Sequence, residues 1–353
     1  MRAASLRHML VVASALLGAC GGDGGGAGAG AGGAGIGGAG QGGAGCLRDN
    51  QTTSCQNDPS PCPGACNGKG YCEVECGQGP EVRIPAGTVV LGSEDAQELR
   101  WQHAFPLAVA EIARTYLIDK YEVSIGRYDS CVRAGVCDAP SGAGPCLISA
   151  GRGVRDRVLI PWGLEGDHPV NCVSWEAARR YCEWKGARLP SLNEWVLAGR
   201  GPAGADCKTS ADLATPGRCN KRLYPWGDER DVRRANVLAD DGVDPMHKWR
   251  GSVTTPVGFF DGTTHIGTLQ MPYETRDGSS VFGVHDLIGN VIEWTGQDSD
   301  PSLLDMPGVR EVLMMGIVYD TPDFPWDSVG TFYSTVPTSS WEGSGIRCVR
   351  DVP

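Results

Sequence analysis

Downstream of residue 80, short apolar runs alternate with polar turns rich in Gly and Pro. Val82-Arg83-Ile84 and Thr88-Val89-Val90-Leu91 read as two short strands parted by the turn Pro85-Ala86-Gly87. Three segments switch to helical spacing. The first follows Ser124 as N-cap, places Ile125, Tyr128 and Val132 on one face, and stops at Gly135. Ser174 caps the second, whose Trp175, Ala178 and Cys182 follow the i, i+3, i+7 spacing of a buried face, and Gly186 ends it. The third opens on Ser191-Leu192-Asn193-Glu194, a capping box in which serine oxygen and glutamate carboxylate each satisfy a backbone N–H. From residue 82 to Pro353 this texture predicts one domain of short strands and few helices, without an internal repeat.

The N-terminal pattern is different. Arg2 and Arg7 precede the apolar run Met9 to Leu17, which has the length of a signal-peptide core and is too short to span a bilayer. Leu17-Gly18-Ala19-Cys20 resembles the lipobox of bacterial lipoproteins, which implies a signal peptide over 1–19 and Cys20 as the acylated first residue of the mature chain. An ordinary secretory signal with a stray cysteine is the alternative. Residues 20–45 are almost wholly Gly and Ala after Cys20, which buries nothing and predicts a flexible tether. Residues 46–80 hold Cys46, Cys55, Cys62, Cys66, Cys72 and Cys76 with hardly any large aliphatic side chain, so disulfides must stand in for a core there. This stretch is either a small EGF-like knot or a spacer, and its six cysteines allow about fifteen pairings.

Cysteine count sets the compartment. Fifteen cysteines in 353 residues suit an oxidising compartment better than a reducing cytosol, because zinc-like spacings at Cys62/Cys66 and Cys72/Cys76 lack a histidine pair to complete them. Setting Cys20 aside leaves an even number for pairing. The net charge of −11 repels phosphate backbones and anionic lipid surfaces, so nucleic acid is not expected as a partner. Three bridges follow from proximity along the chain: Cys207 with Cys219, Cys131 with Cys137, and Cys146 with Cys172.

Several motifs then fall in one order. His168 to Gly201 includes Pro169-Val170-Asn171-Cys172-Val173-Ser174-Trp175 and Tyr181-Cys182-Glu183-Trp184-Lys185-Gly186-Ala187-Arg188-Leu189-Pro190-Ser191. After it come Tyr224-Pro225-Trp226-Gly227, Ala235-Asn236, Pro256-Val257-Gly258, Gly289-Asn290-Val291-Ile292-Glu293-Trp294 and Gly345-Ile346-Arg347-Cys348. Upstream, Val90-Leu91-Gly92-Ser93 and Tyr121-Glu122-Val123-Ser124 match opening strands. Together they resemble the formylglycine-generating-enzyme, or sulfatase-modifying-factor, family across 82–353. The resemblance implies a single α/β domain of C-type-lectin-like shape with little regular secondary structure, here preceded by the disulfide-rich segment.

The same resemblance implies ligands and cross-links. One structural Ca²⁺ would be held by the side chains of Asp286 and Glu293 and the carbonyls of Gly289 and Val291, hard oxygens that suit it. A second would use Asn236, the carbonyl of Val237 and an aspartate among Asp240, Asp241 and Asp244, with Asp241 fitting the local pattern best. Cys182 and Cys348 correspond to a family disulfide. Trp175, Trp184, Trp195, Trp226 and Trp294 read as packing anchors.

The family oxidase binds Cu(I) through two thiolates that follow an Arg-Gly-Gly-Ser-Trp strand. Here that stretch reads Val312-Leu313-Met314-Met315-Gly316-Ile317-Val318-Tyr319-Asp320, and no cysteine occurs between Cys219 and Cys348. Copper is therefore not expected, and no catalytic residue is assigned. Met314 and Met315 are soft but adjacent on a strand, so they point to opposite faces. A related branch uses iron on three histidines, whereas His8, His103, His168, His247, His265 and His285 are scattered singly. The expectation is a lipid-anchored protein of the bacterial cell envelope, periplasmic or surface-exposed. It would act as a non-catalytic recognition or scaffold module toward a protein, peptide or glycan; the alternatives are a formylglycine-generating oxidase or related metal-dependent tailoring enzyme with an atypical active site, and a purely structural envelope protein.

Overall fold

A computed structural model of the chain describes residues 53–54, 61–62, 65–76, 79–93, 106–140, 166–237, 254–266, 272–296, 312–318, 328–335, 337–340 and 343–352, all within one unit spanning 40–353. The expected signal peptide, Cys20, the tether, Cys46, Cys55, Cys146, Asp240, Asp241 and Asp244 lie outside them.

The three helices form where their caps predict. Helix α1, Ile125–Arg133, has the Ser124 hydroxyl accepting from the Arg127 N–H, and it buries Ile125, Tyr128 and Cys131. Val132, expected on this face, is half-buried and packs against the same core, beside Cys131, which is disulfide-bonded to Cys137. Helix α2, Trp175–Trp184, is capped by Ser174 and buries Trp175, Ala178, Tyr181 and Cys182. In α3, Leu192–Arg200, both hydrogen bonds of the capping box are made, with Ser191 Oγ accepting from the Glu194 N–H and the Glu194 carboxylate from the Ser191 N–H. A 3-10 turn at Ser210–Ala214 has no helical periodicity to announce it.

Strands are short and fall into small sheets. Near the N-terminus β1, Thr53–Ser54, pairs with β2, Pro61–Cys62. A five-stranded antiparallel sheet runs β15–β8–β5–β4–β3: Val349–Asp351, Tyr116–Asp119, Gly79–Ile84, Cys72–Cys76 and Ala65–Cys66. The end of the Cys-rich stretch therefore enters the same sheet as the domain it precedes. The boundary expected at residue 80 falls inside the β4–β5 pairing, in which Val74 lies opposite Glu81. Composition marked the Cys-rich texture, but the ladder hydrogen bonds ignore it. The two strands flanking Pro85-Ala86 do not pair with each other. β6, Gly87–Leu91, turns away to pair with β7, Ala108–Ile112, and β9, Thr264–Ile266, pairs with β10, Pro272–Glu274.

A four-stranded sheet forms the centre, ordered β13–β12–β11–β14: Phe332–Thr335, Val312–Met315, Ile292–Trp294 and Ser344–Gly345. Alternation along β12 explains why all four of its residues are buried. Leu313 and Met315 enter a core shared with Trp195, Val196 and Phe282, whereas Val312 and Met314 enter another with Trp175, Tyr181 and Trp294. The same alternation on β11 sends Ile292 and Trp294 to the second core and Glu293 to the opposite side. Disulfides join Cys131 to Cys137, Cys207 to Cys219 and Cys182 to Cys348, the last tying α2 to the segment before β15. Cys66 and Cys72 are disulfide-bonded as well.

Candidate functional site

The loop from His285 to Val291 turns sharply, with Asp286, Gly289 and Asn290 in the left-handed region at φ 60°, 83° and 61°. Gly289 is required there. A Cβ would meet the Asn236 carbonyl oxygen at 2.3 Å, because the backbone of Asn236 bridges Gly289 and its carbonyl accepts from the Asn290 N–H at 3.0 Å. Asn236 Nδ2 donates to Asn290 Oδ1 at 3.2 Å, and Val237 is buried beside them. The fold thus brings together the described residues of both expected calcium sites, which are about fifty positions apart in sequence.

A buried acidic cluster lies at this turn. Glu293, 1% exposed, faces Arg347, whose Nε lies 3.0 and 2.9 Å from the two carboxylate oxygens and whose Nη2 is 2.7 Å from Oε1. The Trp195 indole donates to Oε2 at 2.6 Å. Arg347 also donates to the carbonyls of Asp119 and His285, each at 2.8 Å. Asp286 accepts from the Gly258 N–H at 2.5 Å, and burial pushes its carboxyl up to about 6. A third carboxylate had no role in the sequence reading. Glu122 is fully buried and takes the Val291 N–H at 3.1 Å and the Asn290 Nδ2 at 2.7 Å. Its burial, with the nearby charges of Asp286 and Glu293, holds its carboxyl well above the usual range. Three acids therefore share one guanidinium.

These residues fit a bound calcium in part. Asp286 and Glu122 are hard donors whose buried charge a divalent cation would offset. The Glu293 side chain is already engaged through both oxygens by Arg347 and Trp195, so its role in the geometry is an ion pair. Among the described residues no set of three His, Cys, Asp or Glu side chains converges as a metal cage. Glu122, Asp286 and Glu293 are all buried among the described residues. The cluster locks the 286–293 turn to the loop after β8 and to the C-terminal strand.

The described residues of β12 are buried as well. Met314 and Met315 are 2% and 1% exposed and enter different cores, so no single ion can meet both sulfurs. Gly316, at φ 83°, lies under Trp195, whose ring would stand 3.5 Å from a Cβ there. The histidines within the described residues stay apart. His168 bonds Thr254, His265 lies against Asp261 and Phe259, and His285 is held neutral by burial, its pKa pulled down to about 4. Of the five tryptophans, Trp175, Trp195 and Trp294 are buried, and the indoles of Trp175 and Trp294 donate to the carbonyls of Thr295 and Val173. Cys172 is buried, and its expected partner Cys146 lies outside the described residues.

Comparison with known proteins decides the family. Residues 74–352 match the Sulfatase-modifying factor enzyme 1-like domain. The chain belongs to this family. Bovine (Bos taurus) inactive C-alpha-formylglycine-generating enzyme 2 is 28% identical over 201 residues, covering 56% of this chain and 52% of the relative. The formylglycine-generating enzyme of Thermomonospora curvata is 29% identical over 240 residues, 60% of this chain and 69% of the relative. The chain thus spans about half the length of the inactive relative. The structure of PvdO from Pseudomonas aeruginosa shares the fold, at TM-score 0.51 and 22% identity, with 79% of this chain and 97% of that one covered. Within the sulfatase-modifying-factor family, then, this member carries a mixed sheet-and-helix domain with a buried acidic cluster, and a β12 strand whose methionines are packed away.

Proposed function

We propose that this chain is a non-catalytic recognition or scaffold module built on the sulfatase-modifying-factor domain and held at the bacterial envelope by a lipid on Cys20. The observation that carries the first part is the β12 region. No cysteine occurs between Cys219 and Cys348, and the two soft side chains at the expected metal position are buried in separate cores. Without paired soft ligands a Cu(I)-dependent oxidation has no protein grip. Similarity to a relative named as inactive agrees with this reading. The expected C-type-lectin-like shape would suit the presentation of loops to a protein, peptide or glycan.

The test is oxygen uptake by the purified chain loaded with copper or iron, in the presence of a cysteine-bearing sulfatase peptide. No metal-dependent uptake and no aldehyde in the peptide are expected; turnover would overturn the reading. The anchor is tested separately. Cys20→Ala should move the chain from the membrane to the soluble fraction, and unchanged membrane association would refute acylation.

Calcium belongs to the same proposal, as a structural ion at the Asp286 turn involving the Gly289 and Val291 carbonyls. Support comes from the buried acid excess at Glu122 and Asp286. A chelator is expected to lower the melting temperature. An unchanged melt, with no calcium by elemental analysis, would remove the ion from the account.

A further inference from the structure

Four cationic side chains are deeply buried in the described residues: Lys185, Arg200, Arg347 and Arg350. Three are neutralised in place. Lys185 pairs with Asp119 and Glu81, Arg347 with Glu293, and Arg350 with Glu81. Arg200, 1% exposed, is the exception. Its Nη1 donates to the Val90 carbonyl at 2.6 Å and its Nε to the Arg222 carbonyl at 3.0 Å, and no carboxylate of a described residue is paired with it. Burying an ion without a counter-charge is disfavoured, so a guanidinium left in this state is informative. Burial pulls its pKa down to about 10, against a smaller upward pull from the nearby charge of Asp228, which is not hydrogen-bonded to it.

Arg200 does not face packed core alone. It lines a cavity of about 580 Å³, together with Lys221, Arg222, Asp228, Leu107 and Leu223. Arg222 likewise has no carboxylate partner; its Nη1 lies 3.5 Å from the Pro225 carbonyl. Arg200 and Arg222 share this wall with Asp228, which already accepts from the Leu223 N–H at 3.1 Å. The wall is braced. Cys207–Cys219 closes the loop beneath it, Asn220 Nδ2 donates to the carbonyls of Arg200 and Pro202 at 3.0 Å each, and the Asn220 N–H donates to the Ala203 carbonyl at 2.7 Å. Preset donors in a rigid concave wall are what oxyanion recognition requires.

We infer that this cavity is a binding site for a small organic anion, with a carboxylate, sulfate or phosphate group set between the guanidinium groups of Arg200 and Arg222. The volume exceeds that of a bare ion, and Leu107 and Leu223 offer apolar wall to the rest of the molecule. Its lining shares no residue with the Asp286 turn, and the inference does not rest on the recognition reading. Oxygen uptake and anion binding can fail independently.

The experiment is titration calorimetry of the full mature chain at low salt with four probes: glucuronate, glucose 6-sulfate, glucose 6-phosphate and neutral glucose. At least one anionic sugar should bind saturably and raise the melting temperature, while glucose does neither. The anion that binds most tightly identifies the headgroup. Arg222→Gln and Lys221→Gln should each weaken binding by about tenfold, the loss of one charge-assisted hydrogen bond, without moving the ligand-free melt. Asp228→Asn should tighten it about threefold by removing the one opposing charge. Arg276→Gln, an exposed residue paired with Asp231, should leave it unchanged. Silence with all three anions, equal binding of glucose, or affinity indifferent to Arg222→Gln would overturn the inference. Because Arg222 and Lys221 are only half-buried, their variants keep the test readable even if Arg200→Gln fails to fold.

Discussion

The Asp286 turn and the Arg200 pocket bury charge of opposite sign, and they differ in what can complete the balance. At the turn, Glu122, Asp286 and Glu293 are buried and outnumber Arg347, so only a proton or a small cation can offset the remainder. At the pocket, Arg200 and Arg222 form no ion pair with a described carboxylate and adjoin a cavity, so further counter-charge can arrive from solution. Burial alone does not tell a structural charge from a ligand-directed one; the neighbouring space does.

Each region has its own disulfide, and this gives the largest expected contrast. Cys182–Cys348, next to Arg347, closes 166 residues, whereas Cys207–Cys219, under the pocket, closes 12. In the chain-entropy account, replacing the first pair by serine costs roughly 5 kcal/mol and the second roughly 3 kcal/mol. Urea midpoints of the two double variants measure this, and a larger loss from the short loop would break the contrast.

Next come the cations themselves. Arg347→Met strands Glu293 among other buried acids and should destabilise by about 3 to 5 kcal/mol. Arg200→Met leaves only carbonyls without a donor while removing a charge that has no hydrogen-bonded carboxylate among the described residues, so about 1 to 3 kcal/mol is expected. Equal losses would mean that Arg200 is as fully compensated as Arg347.

A smaller effect separates proton from cation at the turn. With Asp286 lifted to about 6, above the unfolded value of about 3.9, the folded chain binds a proton in this window that the unfolded chain releases. The stability from this group is therefore full below about pH 4 and is lost as pH rises through about 6. In chelator near pH 7, Asp286→Asn should be the more stable form, by on the order of 2 kcal/mol, and the gap should close toward about pH 4.5. With calcium bound the order reverses, because the asparagine has lost the charge that the ion needs. A wild type that outlasts the asparagine variant in chelator would contradict the buried-acid account of the turn.

The helices were legible because their signals are local: Ser124, Ser174 and Ser191 each cap a helix within three residues, and the buried faces follow the 3.6 period. Ordered motifs pointed to the family, and the turn residues Asp286, Gly289 and Glu293 were visible within them. The function of Glu293 was not. Its carboxylate belongs to Arg347, 54 residues away, as Glu122 belongs to the Asn290 turn at a separation of 168. Glu122 gave only a faint sign, an acid flanked by Tyr121 and Val123.

By itself the sequence determined the caps, the strand alternation, the Cys131–Cys137 and Cys207–Cys219 pairs and the missing thiolates near β12, since each depends on neighbours within a few residues or on composition. Tertiary structure alone decided which buried charges meet. It sent Leu313 and Met315 to one core and Val312 and Met314 to another, set three acids within reach of the charge of Arg347, and left Arg200 beside a cavity with no ion pair to a described carboxylate. The physical reason is that charge pairing acts through space over a few ångströms, between segments that the chain order keeps far apart.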